Sequence, residues 1–335
     1  MDRSPIWGPP MTATRADAER RSPEPPPERV SIVITAYNHA RYLGQAIESV
    51  LGQSHPDVEL IVLDDGSTDN TRDVLRQYSG RLHWGTQPNM GQAATLNKGW
   101  AMSSGAILGY LSADDCLRSE AAACAVRVLR KFPEVVTTYC NFDIMDDASR
   151  VLRTSTAPEF DYDAMVLRGV CPLGPGAFFR RAAFEAVGGW DGNLHHVPDF
   201  DFWLRVGLHG EFCRIPEVLA QYRMHDCSRS FSKVDEAQAD EIIFVLNRLY
   251  REPRLPARLR NTHNRSLSTA YLLSARLHLY SSRYRAGLRR VLTAVAHDPQ
   301  ALMTLRSYRL IAGGLMHRAG QKLVWQLRRR LHKAA

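Results

Sequence analysis

Three short polar segments carry side chains that could bind a nucleotide and a metal ion. They are Thr35-Ala36-Tyr37-Asn38, Asp64-Asp65-Gly66-Ser67-Thr68-Asp69 and Ser112-Ala113-Asp114-Asp115. A single Asp-Gly pair after a strand is commonly no more than a turn. The significance of the segments therefore depends on whether the fold brings all three of them to one place.

The adjacent carboxylates Asp114 and Asp115 predict a metal site. Two carboxylates side by side repel each other, so the pKa of one of them rises unless they share a cation. Oxygen ligands suit Mg²⁺ or Mn²⁺, and Mg²⁺ often completes its coordination with water and substrate phosphates. The alternative is that the pair caps a helix predicted from Ser119.

Asp65 and Tyr37 have the chemistry to recognise a nucleobase. The Asp65 carboxylate could accept a hydrogen bond from a base N–H, and the Tyr37 ring could stack on the base. With a metal ion that binds phosphate nearby, these residues would form a nucleotide site.

Alternating strand and helix patterns position these segments. Val30–Ala36, Val58–Leu63 and Ala106–Leu111 are apolar runs of strand length, and stretches with helical spacing, such as Gln92–Met102, lie between them. Such strands indicate an α/β fold with a mostly parallel sheet, whose ligands bind beyond the carboxyl ends of the strands. The three polar segments follow these strands, so we expect them at one edge of the sheet.

The composition describes a globular protein with an uneven charge distribution. Of 335 residues, 44% are apolar and 23% are charged, which excludes a wholly disordered or fibrous chain. Residues 1–240 hold 24 basic and 32 acidic residues, whereas residues 241–335 hold 19 and 3. A basic segment of this kind predicts an anionic partner, either a nucleic acid or a phospholipid surface.

The two ends of the chain differ from its middle. Residues 1–28 contain seven prolines and no apolar signal core, so we expect a disordered leader and a cytoplasmic protein. After Tyr222 the strand and helix patterns no longer alternate, and only helical patterns follow. These helices are predicted at Ala237–Tyr250, Ser266–Tyr280, Ala286–Ala296 and Leu302–Met316, followed by a basic end, Gln321–His332. The predicted units are 1–28, an α/β domain over 29–232 and a basic helical region over 233–335.

Eight segments resemble, in order, the motifs of the family-2 inverting glycosyltransferases of GT-A fold. They are VSIVITAYN (30–38), VLDDGSTDNT (62–71), NMGQAATLNKG (89–99), LSADD (111–115), GPGAFFRR (174–181), VGGWD (187–191), PDFDFWLR (198–205) and YRMHDCS (222–228). The resemblance implies that residues 29–232 are a catalytic domain. It would move a sugar from a nucleotide-diphosphate sugar, with UDP the preferred nucleotide, to a saccharide or lipid-linked acceptor hydroxyl with the help of Mn²⁺ or Mg²⁺.

The resemblance also implies roles for single residues on the donor side. Thr35, Tyr37 and Asp65 would hold the nucleoside. Asp114 and Asp115 would bind the diphosphate and the metal ion, with Asp115 as the metal ligand. The family often has an Asp where this chain has Ser112.

The remaining roles concern the acceptor and the closing segment of the domain. The family's base is the Asp of a Glu-Asp pair at the start of a helix, and Asp199 matches it although Pro198 replaces the Glu. Asp201 is expected to be a helix charge or a packing acceptor. Arg223 and His225 would reach the diphosphate or the metal ion, although a lone His is more often structural.

Other parts of the chain bear on the substrate and on partners. Substrate selection is expected to depend on loops such as Phe142–Asp161 and Asp191–Val197. The basic end, with Trp325 among basic residues, is predicted to contact an anionic membrane from the cytoplasmic side, unless it packs on the catalytic domain instead.

Two other functions stay open at this level. One is a non-catalytic nucleotide-binding protein whose basic tail binds an anion such as nucleic acid, but the tail lacks interleaved aromatic motifs. The other is a nucleotidyltransferase, but no glycine-rich, lysine-containing triphosphate loop follows the first strand. The prediction is therefore a glycosyltransferase without a nucleic-acid partner.

Overall fold

The computed structural model describes residues 28–225 and 233–315. The strands are β1 (Val30–Ala36), β2 (Val58–Asp64), β3 (His83–Thr86), β4 (Ile107–Ser112), β5 (Cys116–Leu117), β6 (Val135–Met145), β7 (Val151–Ser155), β8 (Phe178–Arg180) and β9 (Glu211–Arg223). The helices are α1 (Ala40–Leu51), α2 (Thr71–Gln77), α3 (Gln92–Met102), α4 (Ala121–Lys131), α5 (Tyr162–Arg168), α6 (Arg181–Val187), α7 (Pro198–Val206), α8 (Glu236–Leu249), α9 (Ala257–Arg260), α10 (His263–Tyr280), α11 (Tyr284–His297) and α12 (Leu305–Leu315).

The strands form one sheet in the order β3-β2-β1-β4-β8-β6-β9-β5, and β7 pairs with β6. The ladders β1–β2, β1–β4, β2–β3 and β6–β9 are parallel and hold most of the paired residues. The predicted α/β class with a mostly parallel sheet is therefore confirmed. Because Ala36 is in register with Asp64, and Thr35 with Ser112, the carboxyl ends of β1, β2 and β4 meet at one edge, as expected.

The sheet is buried on both faces by two hydrophobic clusters. Ile32 and Ile34 of β1 pack on the face that α1 and α4 cover. Val33, one position between them, packs on the opposite face with Trp100 of α3 and Trp203 of α7. This explains why the central strands read as continuous apolar runs rather than as alternating ones.

Strand β9 was not predicted, and its sequence explains why. The strand contains Pro216, which cannot donate a backbone hydrogen bond to a neighbouring strand. The β6–β9 register shifts at this point, from Ile215 opposite Cys140 to Val218 opposite Asn141. The Asn141 side chain donates to the Pro216 carbonyl at 2.5 Å, so the irregularity is stabilised by a side chain from the partner strand.

The predicted C-terminal helices are confirmed within the described residues as α8, α10, α11 and α12. Ile242, Val245 and Leu246 of α8 belong to the same hydrophobic cluster as Trp203 of α7, so α8 shares a core with the α/β part of the chain. The predicted division at residue 232 stays a prediction. The leader up to residue 27 and the basic end Gln321–His332 lie outside the described residues.

Among the described helices, none combines the length and apolar character that crossing a bilayer requires.

Candidate active site

The loops after β1 and β2 are joined by the side chain of Asn38. Its Oδ1 accepts a hydrogen bond from the backbone N–H of Thr68 at 2.8 Å. The backbone N–H of Asn38 donates to Ser67 Oγ, also at 2.8 Å. The Asp69 carboxylate accepts from the N–H of Ala40, the first residue of α1. Two of the three polar segments are therefore held in a fixed relation to each other and to α1.

Asp65 lies at this edge and is 4% exposed. Its carboxylate accepts hydrogen bonds from the backbone N–H groups of Met90 and Gly91, at 2.8 and 2.9 Å, and from Gln87 Nε2 at 3.1 Å. Asp65 thus fixes the loop that leads into α3. The neighbouring Tyr37 has an exposed ring, 47% accessible to solvent, as a stacking role requires.

The preceding residue, Asp64, has a structural role. Its buried carboxylate accepts from the Ser67 N–H, Thr86 Oγ1 and Arg72 Nε. Burial raises the pKa of Asp64, but the hydrogen bonds from Ser67, Thr86 and Arg72 outweigh it and leave the pKa below its ordinary value. Of the two carboxylates in the Asp-Asp-Gly segment, Asp64 is therefore the one that holds the loop after β2 to its neighbours.

Asp114 meets two histidines from distant parts of the chain. Its Oδ2 lies 3.0 Å from His225 Nε2 and 3.7 Å from His39 Nε2. One ligand atom from each of the three residues lies within 4.8 Å of the other two. The cluster therefore offers two imidazoles and one carboxylate to a single metal ion.

The orientation of His39 suits metal binding. Its Nδ1 lies 2.7 Å from the carbonyl oxygen of Tyr37, so in the neutral ring Nδ1–H donates there and Nε2 carries the lone pair. A backbone carbonyl that fixes the tautomer in this way is common behind metal-bound histidines. The sequence analysis missed His39, although it directly follows the Tyr37-Asn38 segment.

The charge on Asp114 is stabilised in this cluster. Burial raises the pKa of Asp114, whereas the hydrogen bond from His225 and the proximity of His39 lower it, and the net shift is downward. An ionised carboxylate beside two imidazoles offers one oxygen and two nitrogen ligands to a divalent metal ion.

Asp115 is not a member of this cluster. It is 4% exposed, and its Oδ1 accepts the backbone N–H of Arg223 at 2.8 Å. Burial and the neighbouring Asp114 charge raise the pKa of Asp115 well above its usual range. Its assignment as the metal ligand stays a prediction, and the contact with Arg223 indicates that it joins β9 to the Asp114 turn.

Arg223 is 1% exposed and donates to protein oxygens from all of its guanidinium nitrogens. Nε donates to the Asp114 carbonyl, and Nη2 donates to Gln45 Oε1 at 2.7 Å. Nη1 donates to Ser149 Oγ at 2.8 Å. These contacts fix the turn that carries Asp114, and a contact between Arg223 and a diphosphate stays a prediction.

Asp199 lies in the first turn of α7 and is partly buried. Burial raises the pKa of the Tyr110 hydroxyl on β4, and the charges of Asp199 and Asp115 raise it further. The charges of a residue in the first turn of α7 and of one in the Asp114-Asp115 turn thus both act on this hydroxyl. Asp201, 2% exposed, accepts hydrogen bonds from Arg205 and Arg248, which confirms its expected role as a packing acceptor.

Residues 31–188 match the sequence model of the glycosyl transferase family 2. A glycosyltransferase of Nostoc sp. is 30% identical over 226 residues, which are 64% of this chain and 70% of that protein. The chain belongs to glycosyl transferase family 2. Chondroitin synthase of Pasteurella multocida is 26% identical over 227 residues, 67% of this glycosyltransferase but 23% of the synthase.

Solved structures place this glycosyltransferase in the GT-A fold. Residues 1–349 of TarS from S. aureus, in complex with UDP-GlcNAc, superpose with a TM-score of 0.61 at 17% identity, covering 84% of each chain. The mannosyltransferase PcManGT from Pyrobaculum calidifontis, in complex with GDP-Man and Mn²⁺, gives a TM-score of 0.55 at 17% identity, covering 89% of this chain and 84% of that one. The predicted family and fold are therefore confirmed.

Proposed function

We propose that the protein transfers a sugar from a nucleotide-diphosphate sugar, with UDP as the expected nucleotide, to an acceptor hydroxyl with inversion at the anomeric carbon. The observation that carries the proposal is the His39–Asp114–His225 cluster at the carboxyl edge of the sheet. Asp65 lies in the neighbouring loop at that edge, and Asp199, in the first turn of α7, acts by its charge on Tyr110 of β4. The acceptor is proposed to be a saccharide or a lipid-linked saccharide, in line with the similarity to a chondroitin synthase.

The nucleoside is proposed to bind beyond β1 and β2. Tyr37 presents an exposed ring for stacking, and Thr35 and Asp65 lie at the ends of the two strands that form this part of the edge. The titles of two complexes of similar fold, with UDP-GlcNAc and with GDP-Man, support a nucleotide-sugar donor of this general class.

A divalent metal ion fits the residues beyond β4. Asp114 and His225 would hold it, and His39 offers a third ligand, an imidazole nitrogen. When bound, the ion would offset the negative charge that develops on the departing diphosphate. Asp115 and Arg223 are proposed to keep the Asp114 turn in place through the hydrogen bonds that join the turn to β9. Metal binding by Asp115 and diphosphate binding by Arg223 stay predictions.

Asp199 is proposed to act as the general base. Its carboxylate takes the proton of the acceptor hydroxyl while that oxygen forms a bond to C1 of the donor sugar. The bond between C1 and the diphosphate oxygen breaks on the opposite face, and the nucleoside diphosphate leaves with the electron pair. One displacement inverts the configuration at C1, so no covalent sugar–enzyme intermediate is needed.

The decisive experiment separates this reaction from the alternatives. The protein is incubated with a panel of UDP- and GDP-sugars, Mn²⁺ and candidate saccharide acceptors, and in parallel with UTP or GTP and sugar 1-phosphates. Nucleoside diphosphate and pyrophosphate are measured separately in both mixtures. Acceptor-dependent release of nucleoside diphosphate, with an inverted linkage by NMR, is expected. Pyrophosphate release would indicate a nucleotidyltransferase. Binding without turnover across the panel would favour the non-catalytic binding protein.

We also propose that the C-terminal helices contact an anionic membrane on the cytoplasmic side. Residues 241–335 hold 19 basic and 3 acidic residues, which complements a negative surface. The described helices α11 and α12 expose apolar side chains that such a surface could cover, namely Tyr284, Leu288, Leu292, Leu305, Tyr308 and Leu315.

Flotation with anionic liposomes at low salt tests this contact. The double variant Leu288→Glu/Leu292→Glu should float less than the wild type. The control Met102→Glu changes an equally exposed apolar residue on α3 and should float like the wild type. Wild-type protein that stays in the soluble fraction would contradict the proposal.

A further inference from the structure

Helix α8 contacts the backbone that leads directly into the helix of the proposed base. Glu241 on α8 is 8% exposed, and its Oε1 accepts the N–H of His195 at 2.7 Å. Its Oε2 accepts the N–H groups of His196 and Val197, at 2.6 and 3.0 Å. A single carboxylate thus binds three successive backbone N–H groups immediately before Pro198, the first residue of α7.

The sequence at the start of α7 supplies no N-cap side chain. Val197, the N-cap residue, has no side-chain oxygen to cap the helix, and no side-chain cap is formed. Proline is tolerated at position 198, the first residue of α7, because it has no N–H that would need a hydrogen-bond partner. Glu241 binds the N–H of the N-cap residue, Val197, and the two N–H groups before it, so it holds the backbone that enters the helix. Its negative charge lies near the positive end of α7.

A second residue of α8 holds the same segment at its other end. Arg248 lies seven residues after Glu241, hence on the same face of the helix. It donates to Asp191 Oδ2 at 2.6 Å and also to the Asp201 carboxylate in α7. The loop 191–197, expected to help select the substrate, is therefore fixed to α8 by Arg248 at its start and by Glu241 at its end.

We infer that Glu241 is a positioning residue for Asp199, so that α8 of the C-terminal region holds the acceptor side of the active site in its working geometry. Asp199 follows Val197 by two residues, so a change in the path of the backbone at 195–197 moves its carboxylate directly. A displacement of about 1 Å at such a position can cost about 100-fold in rate. The inference rests on the proposed function, because it takes Asp199 as the base.

Glu241→Gln is the sharpest variant. The side chain keeps its shape, but one of its two oxygens becomes an NH₂ group, which donates and cannot accept. At least one of the three backbone N–H groups then loses its partner and faces another donor. The neighbouring Asp240→Asn is the matched control, because Asp240 is on the same helix but bonds Ser274 and Arg290 instead of the loop.

Two measurements on the full chain test the inference. Amide hydrogen exchange followed by mass spectrometry should show faster exchange in the peptide over 191–201 for Glu241→Gln, and wild-type exchange there for Asp240→Asn. In steady-state assays at a temperature where all variants are folded, Glu241→Gln should lower kcat by about 10- to 100-fold with the donor KM unchanged. Asp240→Asn should leave both constants unchanged.

The outcomes separate this inference from the proposed function. Unchanged exchange over 191–201 in Glu241→Gln would overturn it, and so would faster exchange with an unchanged kcat. An equal loss of kcat in Asp240→Asn would indicate general destabilisation and would also overturn it. If the wild type transfers no sugar, the proposed function fails, while hydrogen exchange still decides whether Glu241 holds the loop.

Discussion

The two glycines in the segment Val187-Gly188-Gly189-Trp190 allow a controlled test of how the connection between α6 and α7 is packed. Both have φ of +80°, a conformation that costs any other residue energy. A Cβ on Gly188 would meet nothing within 4 Å. A Cβ on Gly189 would lie 2.4 Å from Asn97 Oδ1, so alanine there must displace the Asn97 side chain.

The contacts of Asn97 set the size of the effect. Its Oδ1 accepts the Trp190 N–H at 2.9 Å, and its Nδ2 donates to the Trp190 carbonyl at 2.7 Å. Gly188→Ala should cost about 1 kcal/mol from the positive φ alone. Gly189→Ala should cost the same amount plus two hydrogen bonds of about 1 kcal/mol each, which makes about 3 kcal/mol. The difference of about 2 kcal/mol is about a 30-fold change in the unfolding equilibrium.

The assay is urea denaturation of both variants, followed by tryptophan fluorescence. In an Asn97→Ala background the two closest atoms are absent, and only Phe184 Cε2, at 3.0 Å, stays near the added Cβ. Gly189→Ala should then cost little more than Gly188→Ala, about 1 kcal/mol. Equal destabilisation by the two single variants would refute the reasoning. A cost of Gly189→Ala that persists without the Asn97 side chain would refute it as well.

Three further predictions concern the charged residues. Asp199→Asn should lower kcat by about 10²- to 10⁴-fold with donor and metal binding unchanged, because only the base is lost; steady-state kinetics and calorimetry measure this. Asp114→Asn should weaken Mn²⁺ binding in the presence of UDP by about 100-fold or more, as measured by calorimetry. Asp115→Asn should change this affinity little, because the amide oxygen of the new Asn side chain can still accept the Arg223 N–H. Asp240→Asn should destabilise the protein by about 1 kcal/mol at pH 7, and urea denaturation should show this difference shrinking below about pH 4.

The sign of the last prediction follows from the pKa of Asp240. Burial raises this pKa, but the hydrogen bonds from Ser274 and Arg290, with the Arg290 charge, lower it overall. A carboxyl group whose pKa is lower in the folded state contributes stability above its unfolded pKa, near 4, and loses it as the pH falls through the folded value. A difference between variant and wild type that grows on acidification would contradict this.

Controls and contrary results distinguish the first two predictions. Asp73→Asn removes an exposed carboxylate on α2 and should leave kcat unchanged. Near-normal turnover in Asp199→Asn would show that another residue is the general base. Equal losses of Mn²⁺ affinity in Asp114→Asn and Asp115→Asn would support the prediction that Asp115 is a metal ligand. They would argue against metal binding by the His39–Asp114–His225 cluster alone.

The sequence by itself determined the central strands, the main helices and the edge at which the polar segments lie. Runs such as Val30–Ala36 are buried on both faces, so their composition is a local signal that needs no knowledge of the partner strand. The helix Gln92–Met102 has the bounds that its apolar spacing predicts. The direction of the parallel strands then places their polar ends at one edge.

Only the tertiary structure decided which polar side chains meet at that edge. His39, Asp114 and His225 come from three separate segments, and local spacing does not say which way each side chain turns. Asp115 differs from Asp114 by one position, yet it faces β9 instead of the histidines. Glu241 contacts residues 195–197 because the helices after residue 232 pack on α7. Such contacts depend on long-range packing, which brings together residues that no pattern along the chain connects.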